Sequence, residues 1–115
     1  MNVVTLIGNL ATDVDLKAVS GDKKVASFLL AVPRPAKGDD TDFVWVSTWD
    51  RNAEVCAEHL TKGKRVAVDG RLKSRTWEQD GKRRDAIEVV ARNVEFLSPP
   101  SELAEVVPFE RAAAG

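Results

Sequence analysis

The chain has 115 residues, 43% of them apolar and 30% charged, with a formal net charge of −1. That is the size of one domain, about 100–150 residues, and the composition fits a soluble globular chain, excluding a disordered or membrane-embedded one. The single cysteine, Cys56, forms neither an internal disulfide nor a four-ligand metal site.

Met1-Asn2-Val3-Val4-Thr5 has neither a basic lead nor a small-residue cleavage site, and no apolar run approaches the roughly 18–20 residues of a membrane span. A cytoplasmic chain without a secretory signal is therefore expected. Val3 to Leu10 is an apolar, β-branched run ending at the bend signal Ala11-Thr12-Asp13. Asp13 to Val19 alternates, with Val14, Leu16 and Ala18 against Asp13, Asp15 and Lys17, and continues that strand past the bend. Ser20-Gly21-Asp22-Lys23 is a turn, and Lys24 to Val32 is a nearly all-apolar strand of the kind buried on both faces. Pro33-Arg34-Pro35 and Lys37-Gly38-Asp39-Asp40 then form a loop.

Phe43 to Trp49 is the next strand. Positions 43, 45, 47 and 49 carry Phe, Trp, Ser and Trp, and positions 44, 46 and 48 carry Val, Val and Thr. With a period of two, one face is aromatic and the other small and β-branched. Asp50 to Leu60 is the one helix, with Asp50 or Asn52 as its cap and Ala53, Cys56, Ala57 and Leu60 at spacings of three and four. Lys62-Gly63 is expected to end it. Arg65 to Trp77 alternates again: the odd positions from 71 onward read Arg71, Lys73, Arg75, Trp77. Asp80-Gly81 is a strong hairpin signal. The return strand, Arg84 to Leu97, changes parity between Ala91 and Val94, which predicts a bulge near Arg92-Asn93. Pro99-Pro100 closes the domain, giving a domain of residues 1–98 and a short tail of 99–115. The order β-β-β-α-β-β, all-β with one short helix between strands three and four, is the connectivity of a five-stranded OB-fold barrel.

No catalytic constellation is present. His59 is the only histidine and stands alone on the helix, where it reads as a surface or core-edge residue. Gly63-Lys64-Arg65 lacks the upstream glycine and the Ser/Thr of a phosphate-binding loop. Asp39-Asp40 with Asp42 has the ligand chemistry for a hard cation, but such a loop cluster is ordinarily solvated. Cys56 reads as a small core residue. A non-enzymatic chain with no cofactor and no metal is expected.

The informative signals are charge segregation and aromatic placement. Lys62 to Arg84 holds nine basic and three acidic residues, a local charge of +6, whereas the segment from Pro99 onward is −2. Phe43, Trp45 and Trp49 share one strand face, and Trp77 ends the basic face of the long hairpin. Aromatic rings at period two also fill cores, and Phe43 alone suits either role. For Trp77, among Arg75, Glu78 and Gln79 near a hairpin tip, a core position is not expected. Flat rings beside cations match unpaired nucleic acid. Each base exposes a π-face worth about 1–3 kcal/mol when stacked, and each phosphate meets Arg or Lys with release of counterions. The stacking set is Trp49 and Trp77, then Phe43 and Trp45. The phosphate set is Lys73 and Arg75, then Arg34, Arg71, Arg83 and Arg84.

The chain resembles the bacterial single-stranded DNA-binding protein family over about residues 2–98. The similarity is carried by Leu6-Ile7-Gly8-Asn9-Leu10, Asp13-Val14-Asp15-Leu16, Thr41-Asp42-Phe43-Val44-Trp45-Val46 with Trp49, Leu60-Thr61-Lys62-Gly63, Val68-Asp69-Gly70-Arg71-Leu72, Trp77 and Asp80-Gly81. The resemblance implies an OB fold, a homo-oligomer that is usually a tetramer, and sequence-tolerant binding of single strands in replication, repair or recombination, in a nucleoid-associated location. It also implies that Phe43, Trp49 and Trp77 occupy base-stacking positions, whereas Trp45 lies where the family often has a polar or basic contact.

Three departures stand out. Val14 replaces a common proline, and Arg34-Pro35-Ala36-Lys37 lacks the aromatic often found there. In the tail, Val107-Pro108-Phe109 is followed by six further residues. The family's acidic run ending in Pro-Phe, which docks replication and repair enzymes, is therefore not reproduced. Two other readings use the same face: an OB module for structured RNA or tRNA, and a module that buries a protein partner against its tryptophans.

Overall fold

Alternating apolar residues build six strands and one helix in a computed structural model that describes residues 1–35 and 40–98. The strands are β1 (Val4–Leu10), β2 (Asp15–Ala18), β3 (Lys24–Pro33), β4 (Thr41–Trp49), β5 (Arg65–Gln79) and β6 (Lys82–Phe96); helix α1 (Asp50–His59) joins β4 to β5. The sheet runs β1-β5-β6-β4-β3-β2, and β1 also pairs with β3. Five strands thus close into a ring, as the OB connectivity requires. Residues 36–39 of the expected 33–40 loop and the tail from Pro99 lie outside the described residues, and Pro33 ends β3 rather than opening the loop.

β1 and β2 are two halves of one bent strand laid along β3. Leu10 pairs with Leu30, and the pairing resumes with Asp15 opposite Ser27. Leu29 holds the bend between them: its N–H donates to Thr12 Oγ1 at 3.1 Å and its carbonyl accepts from Ala11 N–H at 2.7 Å. In β3 only the inward set Ala26, Phe28 and Leu30 is sealed, while Val25, Ser27, Leu29 and Ala31 are half-covered. The apolar run therefore has one core face rather than the two its composition implies.

The core is where these inward positions meet. Phe28, Leu30, Val46, Val66, Val68 and Val89 are buried together, with Cys56 and Leu60 supplied by the helix end. Burial pushes the Cys56 thiol up to about 11, as expected for a packed sulfur with no cation beside it. The helix begins and ends differently from its sequence signals. Its N-cap is Trp49, in extended conformation and without a side-chain cap bond, and Asp50 has φ of 57°. Neither Asp50 nor Asn52 caps it; Asn52 donates to the Arg92 carbonyl at 3.1 Å instead. The chain leaves the helix at Leu60, already extended. Lys62-Gly63 does not end the helix; Gly63, at φ of 95°, serves the turn into β5.

The β5–β6 hairpin is the longest feature. Its tip uses Asp80 and Gly81, both at positive φ, 54° and 75°, with Gln79 opposite Lys82. Two positive φ values in a two-residue loop are the signature of a type I′ turn, whose twist matches the strands. The predicted bulge is present: Asn93 faces Asp69 and Ala91 faces Gly70, so Arg92 is the extra residue. Gly70 is required at this point, because a Cβ there would approach the Val90 carbonyl oxygen to 2.1 Å. Beyond it, β5 from Arg71 to Gln79 is exposed.

Candidate nucleic-acid interface

The even positions of β4 turn inward: Val46 and Thr48 are fully buried. Phe43, Trp45 and Trp49 accordingly face outward, with exposures of 61%, 52% and 38%. Trp77 on β5 is 40% exposed. None of the four rings belongs to the core cluster. The core reading of Phe43, left open by sequence, is excluded by its being the most exposed ring of the set.

Residues opposite one another in a strand pair share a face. Across β5 and β6, Arg71 faces Val90, Lys73 faces Glu88, Arg75 faces Ala86 and Trp77 faces Arg84. β6 runs parallel to β4 with Val46 beside Val89, both inward. The adjacent positions, Ser47 and Glu88, are therefore outward on both strands, and Ser47 Oγ donates to Glu88 Oε2 at 2.9 Å. That contact joins the aromatic face of β4 to the basic face of the hairpin. Phe43, Trp45, Trp49, Trp77, Arg71, Lys73, Arg75 and Arg84 line one continuous outer surface.

Two of the sequence-chosen cations are placed differently. Arg83 lies opposite Glu78 on the other face of the hairpin, with Nε 3.7 Å from Asp85 Oδ1. Arg34 is occupied by acids: Nη2 and Nε donate to Asp42 Oδ1 at 2.8 and 3.1 Å, and Asp40 lies 3.7 Å away. The Arg34 hydrogen bond holds the Asp42 carboxyl below the usual carboxylate range. By contrast, Arg71, Lys73 and Arg84 have no acid partner among the described residues, which leaves their donors for a ligand.

Among the described residues Arg75, unlike Arg71, Lys73 and Arg84, has partners on the surface. Its guanidinium carbon lies 5.3 Å from the centroid of Trp77, within the range of a cation–π contact. Its Nε lies 3.3 Å from Glu88 Oε1. A groove of about 170 Å³ lies where β4 meets the hairpin, with Trp45, Ser47, Arg75, Ala86 and Glu88 in its lining. Glu88 and Ser47 were missed in the sequence, although the Asp80-Gly81 turn sets the register that puts Glu88 opposite Lys73. A larger depression of about 450 Å³ lies elsewhere, on the outer side of β1, between Ile7, Asp69 and Glu95, and no aromatic ring lines it.

Other chemistry finds no support in the geometry. His59 stands outside the surface, its ring 6.1 Å from Phe96. Among the described residues no three His, Cys, Asp or Glu side chains are grouped to hold a metal ion, and no helix is long and apolar enough to cross a membrane.

Comparison with known proteins adds an independent line. The model of the Single-strand binding protein family matches residues 1–97. The Single-stranded DNA-binding protein of Treponema pallidum is 39% identical over 102 residues, which is 84% of this chain and 58% of that protein. The Single-stranded DNA-binding protein of Caldanaerobacter subterraneus subsp. tengcongensis is 42% identical over 106 residues, 88% of this chain and 71% of its relative. That of Bacillus cereus is 43% identical over 104 residues, 86% and 61% respectively. The chain thus spans between 58% and 71% of the length of these relatives. With a family match over nearly its whole described length, the chain belongs to the single-strand binding protein family.

Proposed function

We propose that this chain binds single-stranded DNA with little regard to sequence, stacking bases on Trp49, Trp77, Phe43 and Trp45 and meeting phosphates with Arg71, Lys73, Arg75 and Arg84. The observation that carries this reading is the outer surface on which four exposed rings stand among the cations Arg71, Lys73, Arg75 and Arg84. Stacking tolerates any base because every base has a π-face. Two or three stacked bases at about 2 kcal/mol each contribute roughly 4–6 kcal/mol, comparable with the phosphate term. The role proposed, from the family the chain belongs to, is covering unpaired strands during replication, repair or recombination. Arg83 and Arg34 belong to the proposal only as peripheral contacts, reached by a strand that leaves the main surface. The family is one of DNA-binding proteins without enzymatic activity, and no catalytic step is assigned.

A titration of the free protein with oligo(dT) tests the reading. Tryptophan emission is expected to fall strongly, since all three indoles of the chain lie on the proposed surface. The logarithm of the binding constant should fall with the logarithm of salt by about 0.7 per phosphate neutralised. Unchanged emission at saturation, or a flat salt response, would remove base stacking or phosphate tracking respectively. Competition by tRNA equal to that by poly(dT) would shift the assignment to RNA.

We further infer that the chain assembles as a homotetramer, which multiplies the affinity of each face by avidity. The support is apolar exposure away from the proposed DNA surface: Ile7 on the outer side of β1 lines the larger depression, and Val3, just before that strand, is exposed. Light scattering is expected to return the mass of four chains, and Ile7→Glu to lower it. A single-chain mass for the unaltered protein would refute this.

A further inference from the structure

One residue on the proposed surface has the wrong sign for its neighbours. Glu88 is an acid on a face whose nearest charged residues, Lys73 and Arg75, are basic. In a plain electrostatic account it opposes an incoming phosphate chain and should be a liability. Its geometry indicates another role. The side chain is only 19% exposed, and each carboxylate oxygen has a separate partner: Oε2 accepts from Ser47 and Oε1 faces the Nε of Arg75. Ser47 is itself buried, so the carboxylate is anchored from the β4 side. A carboxylate held in place in this way can hold what it binds.

The point of contact on Arg75 matters more than its strength. A guanidinium offers five N–H donors in a planar fork, and its outer edge of paired nitrogens fits a phosphate in bidentate fashion. Glu88 approaches at Nε, the inner donor, so the outer nitrogens are not consumed. With Nε tethered and the guanidinium lying over Trp77 at 5.3 Å, the side chain is limited in the rotations that a free arginine has. A free arginine loses rotamer entropy on being ordered.

We propose that Glu88 is a positioning residue for single-strand binding: anchored by Ser47, it holds Arg75 over Trp77 so that one side chain presents its guanidinium fork to a phosphate beside a base stacked on the indole. The inference rests on the single-stranded DNA reading above. It converts three separate residues into a relay, Ser47 to Glu88 to Arg75, that spans β4, β6 and β5 and links the two halves of the surface.

The sign of one substitution separates this from the electrostatic account. Glu88→Ala removes a negative charge from the path of a polyanion, which by charge alone tightens binding. Positioning requires the opposite. Affinity for oligo(dT) should weaken about two- to fivefold, the range of one partly exposed ion pair lost, and the salt slope should flatten because one phosphate is met less well. Glu88→Gln, which keeps an oxygen for Nε–H, should recover most of the affinity, and Ser47→Ala, which changes no charge, should weaken binding in the same direction. In an Arg75→Ala background the Glu88→Ala effect should vanish. In the free protein, the Arg75 side-chain Nε–H signal should show restricted motion by nitrogen relaxation, released in Glu88→Ala. Should Glu88→Ala bind oligo(dT) as tightly as the unaltered protein or more tightly, or keep its full effect without Arg75, the proposal is overturned while the single-stranded DNA reading stands. Failure of the unaltered protein to bind oligo(dT) would instead remove that reading, and this inference with it.

Discussion

Replacing Trp49 and Trp77 together by alanine is expected to cost about 2–6 kcal/mol of oligo(dT) affinity, the sum of two stacking losses of about 1–3 kcal/mol each. At the upper end this abolishes measurable binding under moderate salt. The two rings belong to different strands, β4 and β5, and stand outside the core cluster, so each is expected to take its own base. Fold stability should change far less, by about 1 kcal/mol per ring, the value of an aromatic partner on a sheet surface. Trp45 survives in the double variant and reports binding by its own emission, so one titration measures both the residual affinity and the fate of the third indole. The matching control is the melting temperature. If it collapses along with affinity, the rings are packing residues rather than a binding surface. A smaller but real loss from Trp45→Ala would place that ring in the same path, beside the groove it lines with Arg75 and Glu88.

Much of this surface was legible because strands write their faces at a period of two. Phe43, Trp45 and Trp49 fall on one parity, and the other parity, Val44, Val46 and Thr48, is apolar or small enough to be the inside. The same rule worked along β5, and the parity change between Ala91 and Val94 located the bulge that the structure places at Arg92. The hairpin turn also fixes which residues face each other. Once Asp80-Gly81 is a two-residue turn, Gln79 faces Lys82, and counting back puts Arg84 with Trp77 but Arg83 with Glu78, on the other face. Two neighbouring arginines of like charge therefore have opposite surroundings, which charge counting alone obscures.

The unread parts depend on contacts between segments that are distant in sequence. The parallel pairing of β4 with β6 brings Ser47 to Glu88 across 41 positions, and no local pattern announces it. Arg34, which the sequence offers as a phosphate contact, bonds to Asp42, a pairing that follows from the antiparallel register of β3 and β4, with Val32 opposite Asp42. The helix cap failed for a different reason. Asp50 and Asn52 have the right chemistry, but β4 runs straight into the helix at Trp49 and leaves no room for a capping turn, and Asn52 is drawn to the bulge carbonyl of Arg92. Propensity yields there to tertiary geometry.

A ring of comparable size on the opposite face should behave in the reverse manner. Phe28→Ala is expected to destabilise the fold by about 3–5 kcal/mol while leaving the intrinsic affinity of the folded fraction for oligo(dT) unchanged. Phe28 is fully buried, in line with Ala26 and Leu30 on β3 and opposite Val46 on β4. Its removal leaves a void lined by strands on either side of the closed ring, which cannot move inward without breaking their pairing. A domain of this size holds only about 5–15 kcal/mol in all, so the loss is a large share, and the melting temperature should fall by about 15 °C or more. Chemical denaturation should show the midpoint shifted with an unaltered slope, since the area exposed on unfolding is nearly the same. Binding measured well below the new melting temperature should match the unaltered protein, because Phe28 and Trp45 lie on adjacent strands but on opposite faces of the sheet. A Phe28→Ala protein that stays stable would mean the ring is not built around its buried phenylalanine. One that is folded yet fails to bind would mean the inner and outer faces are not separable.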